Sequence, residues 1–66
     1  MKFKKLRKES GITQTELAEK LKVKQSTIAM WETGKSKPRT DDLYIIAEVL
    51  GVSVDKVLDC FKPAQL

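Results

Sequence analysis

Sixty-six residues, 41% of them hydrophobic, leave room for one small helical domain, whose core buries only about 60% of the surface an unfolded chain exposes. Cys60 is the only cysteine and there is no histidine, which rules out an intramolecular disulfide and a Cys/His zinc site. The net charge of +4 is unevenly laid. Residues 1–40 carry eleven Lys and Arg against four Glu, while residues 41–66 carry Lys56 and Lys62 against five acidic groups, so only the first part suits a polyanion.

The basic start, Met1 to Lys8, lacks the apolar stretch of a signal peptide, and no run of eighteen apolar residues predicts a membrane span. A cytoplasmic protein without membrane contact is expected. Phe3, Leu6 and Ile12 supply the apolar side of a first helix over residues 2–10, which Gly11 ends. Thr13-Gln14-Thr15-Glu16 is a capping box, with Thr13 and Glu16 each satisfying a free backbone N–H of the other. Leu17, Ala18 and Leu21 then follow at helical spacing, facing inward. The turn Lys22-Val23-Lys24 has one apolar residue, Val23, as the plug under a corner.

A third helix over residues 25–33 puts Ile28 and Trp31 on its inner side and stops at Gly34. Its outer face presents Gln25, Ser26, Ala29 and Met30, with Thr27 at the flank. Small and polar side chains at a helix start have no use in a core but fit a DNA major groove. Gln25 can bind adenine through its amide, Ser26 serves either base type, and Ala29 and Met30 suit thymine methyl groups. Met30 also suits padding of the core edge beside Trp31. With no arginine in the set to grip guanine, an A/T-rich site is expected.

Lys35-Ser36-Lys37-Pro38-Arg39 is a basic loop through which Pro38 forbids a helix. Thr40, Asp41 and Asp42 start a fourth helix, where negative charge suits the positive end of the helix dipole. Its apolar set, which includes Tyr44, Ile45 and Val49, is wider than one stripe. Gly51 closes it. Ser53 caps a last helix carrying Val54, Val57, Leu58 and Phe61, which ends before Pro63. No repeat or linker divides the chain, so residues 1–66 read as one all-α domain of five short helices, with residues 59–66 as a tail.

Read in register, Leu6-Arg7-Lys8, Ile12-Thr13-Gln14, Glu16-Leu17-Ala18, Val23, Thr27-Ile28, Glu32, Gly34, Pro38, Leu43, Ile46-Ala47, Leu50, Val52 and Val57-Leu58 resemble the Cro and phage-repressor type of helix-turn-helix domain, the XRE family, over residues 3–58. The resemblance implies a compact five-helix, lambda-repressor-like fold, a helix-turn-helix unit at residues 14–33, and helix 3 as recognition helix. It implies that Arg7 pairs with Glu32, that Gln25, Ser26 and Met30 hold the main base-contacting positions, and that Gln14 and Thr27 meet phosphates. Lys22 and Lys24 depart from the family pattern of glycine and a Ser or Thr cap. Both lie beside the expected DNA backbone, as do Lys35, Lys37 and Arg39.

The function expected is a sequence-specific transcription regulator, a repressor that binds an inverted repeat in double-stranded DNA as a homodimer, because one recognition helix contacts few bases. The surplus apolar residues Tyr44, Ile45, Val49, Phe61 and Leu66 are the expected dimer face. The alternatives are an antitoxin or restriction-control type autoregulator that also binds a protein partner, and an interaction module without DNA binding. Nothing resembles a catalytic triad, a metal site or a phosphate loop, so no enzyme, cofactor or metal is expected.

Overall fold

The computed structural model describes residues 2–62. Among them the chain forms five helices and no strand: α1 (Lys2–Glu9), α2 (Gln14–Leu21), α3 (Gln25–Thr33), α4 (Thr40–Leu50) and α5 (Val54–Asp59). Local chemistry accounts for most of the boundaries. Thr13 Oγ1 accepts the Glu16 N–H at 3.1 Å and the Glu16 carboxylate accepts the Thr13 N–H at 3.0 Å, closing the capping box at the start of α2. That pairing, first through the Thr13 backbone and then through its hydroxyl, holds the Glu16 carboxyl below the usual glutamate range. Ser53 caps α5 with one half of that arrangement, its hydroxyl accepting the Lys56 N–H at 3.1 Å.

The start of α4 is made differently. Arg39 occupies the cap position, and a guanidinium has no acceptor to offer. Only the other half of a capping box is made there, the Asp42 carboxylate taking the Arg39 N–H at 3.1 Å.

Left-handed backbone follows α1, α2, α3 and α4, at Gly11, Lys22, Gly34 and Gly51. Gly34 closes α3 at φ 82°, with the next N–H, of Lys35, reaching back to the Met30 carbonyl at 2.9 Å. Lys22 closes α2 at φ 59°, and is the one non-glycine residue with positive φ among the described residues. Val23 then drops half-buried onto the core, its N–H on the Ala18 carbonyl at 3.0 Å. The corner between α2 and α3 is thus held by one strained lysine and one apolar plug.

Each helix contributes a single fully buried residue to the centre: Phe3, Leu17, Ile28, Ile46 and Val57. The Phe3 ring meets Trp31 edge-on, with centroids 6.4 Å apart, and lies 5.0 Å from Phe61. Phe61 therefore belongs to the core and not to a free dimer face: just past α5 the chain turns under, and the ring completes the aromatic cluster on α1. Leu58, one position after the buried Val57, is exposed. Val49 is half-buried against the core, and Leu66 lies outside the described residues.

Candidate nucleic-acid interface

Packing of Ile28, Trp31 and Glu32 against the other helices turns the opposite side of α3 to solvent. Gln25, Ser26 and Met30 are exposed there, while Thr27 and Ala29 are half-buried at the edges. Thr33, which sequence reasoning passed over, shares this face. It stands at i+7 from Ser26 and is exposed, its hydroxyl donating to the Met30 carbonyl at 3.3 Å. It follows Met30 by three positions and Ser26 by seven, both spacings that share a helix face.

Cations frame this face at both ends. Lys22 and Lys24 are exposed on the turn before α3, and Lys35, Lys37 and Arg39 are exposed on the loop after it. Lys24 stands at the cap position of α3 without a side-chain cap bond, so the first N–H groups of α3 have no side-chain acceptor. These N–H groups and the lysines put positive potential where the exposed face begins.

Behind the face runs a chain of hydrogen bonds. Arg7 is buried in α1 and grips Glu32 of α3 with a fork, Nε on Oε2 at 2.5 Å and Nη2 on Oε1 at 3.4 Å. Its remaining Nη1 donates to the Ile12 carbonyl at 2.8 Å, tying down the segment that leads into α2. Glu32 Oε1 also accepts from Gln14 Nε2 at 2.9 Å, and Gln14 Oε1 accepts from Gln25 Nε2 at 3.3 Å. Burial by itself would raise the Glu32 carboxyl, but the Arg7 and Gln14 donors and the charges of Arg7 and Lys4 outweigh it and hold the group below the usual glutamate range. Glu32 is therefore a carboxylate at neutral pH, paired in the core and linked outward to the tip of α3.

The family model for the helix-turn-helix matches residues 3–57. The chain belongs to the XRE-type helix-turn-helix family. This helix-turn-helix domain is 37% identical over 57 residues, 86% of its length, to an HTH-type transcriptional activator, BcrR of Enterococcus faecalis, covering 28% of that protein. It is equally similar to YobD, an uncharacterised HTH-type transcriptional regulator of Bacillus subtilis, of which it covers 51%. The chain thus spans about half or less of these relatives. No solved structure matches it at a significant level. The domain is of the kind found in transcription regulators, and among its described residues no helix is long and apolar enough to cross a membrane.

Elsewhere, Cys60 is half-buried on the core, its thiol donating to the Lys56 carbonyl at 3.5 Å. Burial pushes the thiol pKa up, which favours the protonated thiol at neutral pH.

Proposed function

We propose that this domain is the DNA-reading part of a transcription regulator and that it lays α3 in the major groove of double-stranded DNA. The observation that carries the proposal is the composition of the solvent side of α3: Gln25, Ser26, Ala29, Met30 and Thr33 form a small polar and apolar face, flanked at both ends by free lysines. In this reading Gln25 and Ser26 contact base edges, with Met30 and Ala29 against thymine methyl groups. Gln14, Thr27, Lys22, Lys24, Lys35, Lys37 and Arg39 contact phosphates and fix the register. Gln14 has one amide N–H left after bonding Glu32, and that N–H is the one assigned to a phosphate oxygen.

A single α3 spans too few bases for genomic specificity, so the domain acts as a homodimer on an inverted repeat with half-sites about one helical turn apart. The exposed apolar side chains Tyr44 (60%), Ile45 (42%) and Leu58 (38%) support such a contact through α4 and α5. The same side chains suit a protein partner of the antitoxin or restriction-control kind, which is the second reading. Occupancy of a promoter excludes polymerase without further machinery, so repression is the proposed outcome. The Enterococcus relative is named an activator, and activation would require an additional surface for polymerase.

Titration of the ¹⁵N-labelled domain with a mixed-sequence duplex at low salt tests the interface. Shifts at Gln14, Lys24, Gln25, Ser26 and Lys35 are expected. Shifts confined to Tyr44 and Leu58, or none, would overturn the reading.

A further inference from the structure

We infer that the buried carboxylate of Glu32 sets base preference from inside the core, by fixing the polarity of the Gln14–Gln25 amide pair. The inference rests on the DNA-binding reading above and concerns a residue that touches no DNA in it. A carboxylate offers acceptors only. With Arg7 on one side, Glu32 Oε1 can take only a donor from Gln14, and the Gln14 amide bonds it through Nε2 at 2.9 Å. Turning that amide over would set its carbonyl against the carboxylate, two acceptors with no hydrogen between them. The Gln14 carbonyl is thereby aimed outward and accepts from Gln25 Nε2 at 3.3 Å.

Gln25 then has one N–H committed. What it shows to the groove is its carbonyl and its second N–H, in one order. Adenine presents the complementary pair in the major groove, an N6–H donor beside the N7 acceptor. An amide free to turn over exchanges donor and acceptor at the same place, and so tolerates other base edges. The ion pair that ties α1 to α3 therefore also aligns the reading side chain, two hydrogen bonds away. Glu32 is a positioning residue, and a neutral glutamine in its place, with a donor and an acceptor of its own, would leave the order of both amides open.

The experiment compares duplexes selected by the wild-type domain and by Glu32→Gln, Glu32→Asp and Gln14→Met, each checked for folding by thermal melting. Glu32→Asp keeps a carboxylate opposite Arg7 but shortens its reach toward Gln14 by one methylene, so the inference stays testable if Glu32→Gln does not fold. Gln14→Met cuts the relay and leaves the ion pair alone. Each variant is expected to lose about tenfold of the preference for adenine at the base facing Gln25, the scale of one bidentate contact, with preferences elsewhere kept. Adding Glu32→Gln to Gln14→Met is expected to change the preference no further. The Gln14 side-chain amide resonances, read without DNA, are expected to move in both Glu32 variants. Unchanged adenine preference in the folded Glu32 variants would overturn the inference, whatever the amide resonances do. If the wild-type domain selects no sequence, the function reading fails, while the amide resonances still decide the relay.

Discussion

Arg7 and Glu32 lie twenty-five residues apart in the chain and meet in a buried two-point fork, with the third Arg7 nitrogen on the Ile12 carbonyl. One side chain thus joins α1, the entry to α2, and α3. Removing one partner leaves the other charged and shielded from water, which is worse than removing both.

Arg7→Met should cost about 3–5 kcal/mol of unfolding free energy, while the double variant Arg7→Met with Glu32→Leu should recover part of the loss. Urea denaturation measures both. A loss under about 1 kcal/mol for the single variant would mean that the pair behaves as an exposed one.

Acid should unfold the domain partly through the same carboxylate. Its folded pKa lies below the usual 4.5, so the stability it contributes is complete above the unfolded value and drains away as pH falls through the folded one. Melting temperature should therefore hold from neutrality to about pH 5 and drop below it. The drop should be shallower in the Arg7→Met, Glu32→Leu background, and an identical acid profile there would assign the effect to other carboxylates such as Glu16.

In the proposed reading, Lys22 and Lys24 trade stability for charge beside the DNA-facing side of α3. Lys22→Gly relieves left-handed backbone at φ 59° and should stabilise by about 0.5–1 kcal/mol, once the freedom glycine adds to the unfolded chain is subtracted. Lys24→Ser supplies the cap that α3 lacks and should add about 1 kcal/mol. Both should weaken DNA binding at low salt, each reducing the steepness of its salt dependence by about one charge. Unaltered binding in both variants would detach these lysines from the DNA backbone.

Leu58→Lys should leave the melting temperature of dilute protein nearly unchanged, since the side chain is 38% exposed, and should shift sedimentation toward the monomer. A variant that sediments as the wild type does would move the dimer contact away from α5.

The residues that were legible in the sequence are those whose partners are close in the chain. The capping box of Thr13 and Glu16, the stops at Gly11, Gly34 and Gly51, and the Ser53 cap all follow from neighbours within four positions. The left-handed Lys22 was legible as a departure from a family pattern. Phe61 was misplaced because its partner Phe3 stands at the other end of the chain and the turn after α5 carries the ring inward. Leu58 fits the inward spacing of α5 equally well, and only the packing against α4 decides that Val57 goes in and Leu58 out. At the proposed DNA interface, Gln14 and Gln25 were each legible, but their link was not: it depends on how α2 crosses α3 and on the position of Glu32 behind both.

The central claim is that α3 reads DNA sequence. Selection of bound duplexes from a randomised pool of about 30 base pairs, long enough for two half-sites, tests it most directly when run at low and at moderate salt. The account predicts enrichment of an inverted repeat whose half-sites carry adenine opposite Gln25, retained as salt rises while total binding falls. Binding without enrichment, vanishing with salt, would contradict it and reduce the domain to a polyanion binder.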